Sequence, residues 1–122
     1  MKIINLFPLS IIQEKILLDK NIKNEMTKEI ETMVSKSKNK NYRIKDVSWT
    51  GDTQGFEYIN KNEKFKELFI NIKKVAIKYL DHLKIDENVI DLYITRSWAT
   101  VSNGKEQISP HNHLQSHISF AY

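Results

Sequence analysis

The segment from Phe65 to Leu83 carries the longest regular pattern in the sequence and predicts an amphipathic helix. Apolar residues recur there at the i, i+3, i+4, i+7 spacing, with lysines and acidic residues between them. A stripe of this kind has to be buried, so the chain needs a core beside this helix. A second helix is predicted from Asn21 onward, with an apolar face formed by Ile22, Met26, Ile30, Met33 and Val34.

Extended segments are predicted around these two helices. Ile3 to Phe7 and Tyr42 to Trp49 read as short extended pieces. After the longer helix, Val89 to Ile94 and then Trp98 to Val101 are apolar and rich in β-branched residues, which predicts one long strand or two short ones. This order predicts an α+β fold in which helices cover one face of a sheet.

Composition limits the class of protein. The 122 residues fit one domain, residues 1–122, and 40% hydrophobic with 28% charged residues is typical of a soluble globular chain. No cysteine is present, which excludes disulfides, thiolate metal sites and a cysteine nucleophile. The net charge of +4 comes almost entirely from dispersed lysines, so we expect no nucleic-acid site. No apolar run has the length of a membrane span, and the cytoplasm is the expected compartment.

Three of the four histidines lie close together near the end of the sequence. In an extended chain, His111 and His113 would share one face. Neutral imidazole is the commonest metal ligand, so the two rings could bind one ion, with His117 as the nearby candidate for a third ligand. Solvated loop histidines without a metal are the alternative interpretation, and the pattern alone leaves both open.

The surrounding residues resemble the pattern W…G…H-x-H…S-G-x-Y of a group of 2-oxoglutarate- and Fe(II)-dependent oxygenases of bacteria and phages. The matching positions are Trp98, Asn103-Gly104, His111, His113, Ile118-Ser119 and Tyr122. Two earlier stretches, Leu6-Phe7-Pro8 and Ser48-Trp49-Thr50, also look like that group. The resemblance therefore spans most of the chain, although its specific part is the last quarter.

This resemblance implies a fold and an activity. The fold would be the N-terminal part of a double-stranded β-helix, or jelly roll, with the two amphipathic helices packed on it. His111 and His113 would bind Fe(II), and Trp98 would line the 2-oxoglutarate pocket, with core packing as its alternative role. The reaction would oxidise a small molecule or a protein side chain by hydroxylation while 2-oxoglutarate is decarboxylated to succinate.

The sequence departs from the family pattern in ways that open other interpretations. Phe120 stands where the pattern has glycine, and the chain ends at Tyr122, before the family's distal histidine and its carboxylate-binding arginine. We therefore expect either a fragment of an oxygenase or an inactive relative. The main alternative is a non-enzymatic structural or interaction protein with at most weak metal binding. A zinc hydrolase fits less well, because its His-x-His-x-Asp-His signature needs an aspartate where Gln115 or Ser116 stands.

Overall fold

The computed structural model describes residues 10–36, 56–101, 113 and 116–122. These ranges contain two α-helices of 17 residues each, α1 (Lys20–Lys36) and α2 (Lys66–His82). They also contain three short 3₁₀ helices, at Ile59–Lys61, Glu63–Phe65 and Glu87–Val89. The two helices predicted from the apolar periodicity are thus confirmed, close to the expected boundaries.

Helix α1 begins at a well-formed cap. The Asp19 carboxylate accepts a hydrogen bond of 2.7 Å from the Asn21 backbone N–H, and the Asp19 carbonyl accepts one of 3.0 Å from Lys23. Aspartate is one of the preferred N-cap residues because it satisfies an N–H group that has no partner within the helix. The helix ends at Lys36, whose positive charge suits the negative end of the helix dipole.

Helix α2 ends in a Schellman motif. The Lys84 N–H donates to the Asp81 carbonyl, and the Ile85 N–H donates to the Leu80 carbonyl, both at 3.0 Å. This geometry requires a left-handed residue just past the helix, and Lys84 takes that conformation with φ at 60°. Glycine is the usual residue at this position because a Cβ atom makes the left-handed conformation costly.

The core lies where both α-helices meet the 3₁₀ helix Glu63–Phe65. Phe65 is its most deeply buried side chain, with 1% of its surface exposed. The remaining buried members come from both α-helices and from the segments before α1 and α2: Leu18, Met26, Met33, Ile59, Leu68, Phe69 and Ile72. Burial of these side chains is the main favourable term that holds the two helices together.

Polar contacts at the surface join α1 to the residues that precede α2. Glu29 accepts hydrogen bonds from the Lys64 ammonium group and from the Asn62 side-chain amide, the latter at 3.0 Å. The hydrogen bond from Lys64 is the main cause that lowers the pKa of Glu29 below its ordinary value, and the Asn62 bond and the charge of Lys64 act in the same direction. Glu29 therefore carries a negative charge that links α1 to the residues preceding α2.

The expected sheet is not formed by the described residues, so the prediction of a jelly-roll fold was wrong for this part of the chain. No strand occurs among residues 10–36, 56–101, 113 and 116–122. Within Val89 to Ile94, Val89 belongs to a 3₁₀ helix, and Ile90 is extended but not part of a strand. The predicted extended segments Ile3 to Phe7 and Tyr42 to Trp49 lie outside the described residues.

The physical reason for this error is that β propensity reflects an extended backbone and does not supply a pairing partner. The segment after α2 forms isolated bridges, one of which is a parallel bridge between Tyr58 and Ser97. Val89 and Tyr93, which a sheet face would cover, are 75% and 79% exposed. Among the described helices, none combines the length and apolar character needed to cross a membrane.

Candidate functional site

The candidate site lies on the extended segment 96–98, which the bridge at Ser97 attaches to the residues before α2. The Ser97 N–H donates to the Glu57 carbonyl at 2.8 Å, and the Ile59 N–H donates to the Ser97 carbonyl at 3.1 Å. These two bonds fix the backbone of the segment on both sides of one residue. The site is therefore tied to the same core that contains Ile59.

The Ser97 side chain points inward and is 5% exposed. Its hydroxyl donates a hydrogen bond of 2.6 Å to Asn60 Oδ1 and accepts one of 3.1 Å from the Asn60 backbone N–H. A buried hydroxyl is tolerated when its donor and acceptor capacity are used, and both are used here. Ser97 and Asn60 thus form a closed polar pair beside the apolar core.

The neighbours of Ser97 belong to the opposite side of the segment, as the alternation of an extended backbone requires. The Arg96 guanidinium carbon lies 5.3 Å from the centroid of the Trp98 ring system, which is a cation-π geometry. Trp98 itself is half-buried. The segment therefore presents a flat aromatic surface with a permanent positive charge against it.

The imidazole of His113 stacks on this surface. The Trp98 and His113 ring centroids are 5.3 Å apart, and the ring planes are inclined by 22°. This is an offset-stacked arrangement, which aromatic pairs prefer over direct face-to-face overlap. Two of the four candidate residues, Trp98 and His113, are thus in contact. His117 is exposed, and the described residues hold no group of three metal ligands that would include it. The fourth, His111, lies outside the described residues.

The segment that follows His113 returns to the core. The Ser116 hydroxyl makes a long hydrogen bond of 3.4 Å to the His113 carbonyl and lies 2.9 Å from the Ser119 hydroxyl. Phe120 then contacts Phe69 of α2 edge to face, with ring centroids 6.2 Å apart. Among residues 116–122, Phe120 therefore provides a contact with α2.

The stacked geometry of His113 is compatible with metal binding. An imidazole binds a metal through a ring nitrogen, whereas the contact with Trp98 uses the ring face. His113 is an exposed residue. Within the described part of the chain, no three histidine, cysteine, aspartate or glutamate residues are grouped as a metal site. The residues thus fit the iron in donor type, and the described chain supplies one of the two predicted ligands.

Sequence reasoning missed the polar support of this site. Arg96 was not predicted as a partner of Trp98, although its position two residues before Trp98 is a signal for a shared face. A small polar residue between two long side chains was the available hint for Ser97. No local pattern points to Asn60, because it lies 37 residues before Ser97.

Comparison with known proteins adds no relative. No protein-family model, no curated protein and no solved structure matches the chain. The residues of the site and the pattern that they form in the sequence are therefore what indicates a function.

Proposed function

We propose that this chain belongs to a 2-oxoglutarate- and Fe(II)-dependent oxygenase, with His111 and His113 as iron ligands and Trp98 beside the cofactor. The observation that carries the proposal is the stack of Trp98 on His113. The resemblance assigns these two residues to one pocket from positions 15 residues apart in the sequence. Their contact supports that assignment, because it brings the two residues together at one place in the structure.

The roles of the residues follow from their chemistry. The imidazole of His113 would donate an in-plane nitrogen lone pair to the ion, while the Trp98 face limits the rotation of the ring. His111 would supply the second nitrogen. Bound iron would supply the activation of dioxygen that couples decarboxylation of 2-oxoglutarate to oxidation of a substrate. The third protein ligand is left unassigned, since no three histidine, cysteine, aspartate or glutamate side chains of the described residues are grouped as a metal site.

The half-buried indole of Trp98 also suits a pocket wall. Oxygenase sites have to limit water around the metal, and a large apolar side chain next to a ligand lowers the local water content. A small molecule or a protein side chain is the proposed substrate class. We place the protein in the cytoplasm and propose no nucleic-acid partner.

The test is anaerobic titration of the purified chain with Fe(II) and 2-oxoglutarate. We expect the weak visible charge-transfer band of the bound complex, followed by succinate when oxygen is admitted. His113→Ala should weaken iron binding at least about tenfold, because it removes one of two nitrogen ligands. His82→Ala is the matched control, since His82 is an exposed histidine at the end of α2.

The possible outcomes separate the candidate functions. Binding with succinate formation supports the oxygenase. Binding without succinate indicates an inactive relative that retains the metal pair. No binding, or equal binding by the His113 and His82 variants, contradicts the proposal and favours a non-enzymatic structural or interaction protein.

A further inference from the structure

Ser97 is the point at which the segment carrying Trp98 is attached to the residues before α2. Its N–H and carbonyl bond to the backbones of Glu57 and Ile59, and its hydroxyl makes two hydrogen bonds to Asn60. Four hydrogen bonds thus join one residue to a four-residue stretch. The backbone bonds fix where the segment lies, and the hydroxyl bonds fix which way it faces.

The side of the segment on which the Ser97 side chain lies determines the side on which the Trp98 side chain lies. Side chains of successive residues in an extended segment point to opposite sides, so an inward Ser97 requires an outward Trp98. A rotation of the backbone at position 97 would carry the indole away from His113. It would also expose Ser97 and separate its hydroxyl from Asn60, which would leave partly buried polar atoms of Asn60 without this partner.

We propose that Ser97 is a positioning residue, which with Asn60 holds the Trp98 indole at the place and angle where it stacks on His113. The inference rests on the proposed function for its meaning, because a fixed stack matters to an oxygenase only if His113 binds the iron. The positioning itself depends on the hydrogen bonds and the burial of Ser97. Apolar core packing does not replace it, since Trp98 is only half-buried.

The test measures the stack directly by NMR on the protein without metal or cofactor. The ring current of Trp98 shifts the imidazole proton resonances of His113, and the comparison with Trp98→Leu gives the size of this shift. A Trp49→Phe background leaves Trp98 as the single tryptophan. The methyl resonances of the core residues Met26 and Met33 report whether the fold is intact.

Ser97→Ala is expected to reduce the ring-current shift of His113 to less than half, while the Met26 and Met33 methyl resonances stay in place. Ser97→Thr should restore the shift, because threonine retains the hydroxyl. If Ser97 contributed only to stability, its replacement by alanine would lower the unfolding midpoint. The ring-current shift of His113 in the folded protein would not change.

Variants of Asn60 test the same pair independently. They decide whether the pair positions Trp98 if Ser97→Ala does not fold. Asn60→Asp keeps an oxygen that can accept from the Ser97 hydroxyl and should preserve the shift. Asn60→Ala removes this acceptor and should reduce the shift as Ser97→Ala does.

Two results would overturn the inference: a full shift in both alanine variants, or no change in the His113 resonances when Trp98 is replaced by leucine. Failure of iron binding would leave the NMR result unaffected, because no metal is present in that experiment. A loss of the positioning role would likewise leave the iron titration of the unmodified chain standing. The two proposals can therefore fail separately.

Discussion

Phe69 of α2 and Phe120 meet edge to face, with their ring planes at 78° and their centroids 6.2 Å apart. Phe69 is 9% exposed, whereas Phe120 is 48% exposed. The contact joins the described residues 116–122 to a helix that contributes to the core. It is therefore the apolar counterpart of the Ser97 and Asn60 pair, which attaches the residues around Trp98.

The unequal burial of the two rings predicts unequal effects on stability. Phe69→Ala should lower the free energy of unfolding by about 3 kcal/mol or more, because it leaves a cavity in the core. Phe120→Ala should cost about 1 kcal/mol, since half of its ring already faces water. Urea unfolding followed by far-UV circular dichroism measures both values. Tyr122→Ala, at a 61% exposed position, is the control and should change stability by less than about 0.5 kcal/mol.

Glu29 predicts a specific dependence of stability on pH. Its pKa in the folded protein is lowered, chiefly by the hydrogen bond from Lys64. A lowered folded pKa stabilises the fold fully above the ordinary carboxyl pKa of about 4.3, and this contribution disappears as the pH falls through the lowered value. Glu29→Gln should therefore cost about 0.5 kcal/mol at pH 7, a small value because the Lys64 side chain is 48% exposed.

The measurement for Glu29 is the difference in urea unfolding between the unmodified chain and Glu29→Gln at neutral and at acidic pH. The difference should vanish in acid. Glu63→Gln is the control, since the ion pair of Glu63 with Lys66 is mostly exposed and should contribute close to nothing at either pH. A Glu29→Gln difference that persisted below the carboxyl range would contradict the assigned cause.

Lys84 predicts a substitution that stabilises the protein. Its left-handed backbone, with φ at 60°, costs a residue with a Cβ atom about 1 kcal/mol. Lys84→Gly should remove this cost and raise the free energy of unfolding by about 0.5 to 1 kcal/mol. Thermal unfolding tests the sign. Lys74→Gly, at an exposed position inside α2, is the matched control and should instead lower stability by about 1 kcal/mol.

Tyr79 predicts a local effect at the beginning of the described chain. Its hydroxyl donates a hydrogen bond of 2.7 Å to the Ser10 carbonyl, and the neighbouring Lys78 pairs with Glu14 at 3.0 Å. Tyr79→Phe should release this segment and increase hydrogen exchange of the amides near Ser10, while exchange in the middle of α2 stays unchanged. Lys78→Met is the comparison and should have the weaker effect, because an exposed ion pair contributes little. Equal protection near Ser10 in the Tyr79 variant would refute the role of the hydroxyl.

The helices were accessible from the sequence because their signal is local. Met26 and Met33 repeat on one face of α1, and Leu68, Phe69 and Ile72 do so on α2, so the periodicity and the burial agree. A strand is different, because it forms only when it pairs with another strand. The sequence of one extended segment does not show which segment it would pair with. This is why the apolar stretch from Val89 to Ile94 was predicted as a strand.

The sequence pointed to two residues of the candidate site but not to the residues that support them. His113 was selected by the His-x-His spacing and Trp98 by the resemblance to the oxygenase pattern. Serine and asparagine are residue types that usually lie at protein surfaces, so residue type alone does not single out Ser97 and Asn60. Their importance arises from burial and from a contact across 37 positions, which no short-range pattern encodes.

The parallel bridge between Tyr58 and Ser97 closes the intervening chain into a loop. Helix α2 lies between these two residues in the sequence and so belongs to that loop. A protease that cut the exposed turn from Lys84 to Asp86 would open this loop. Neither fragment would be released, because the hydrogen bonds of Ser97 and the packing of Ile59 in the core would still hold the two fragments together. The nicked molecule would migrate as two pieces after denaturation and as one before it.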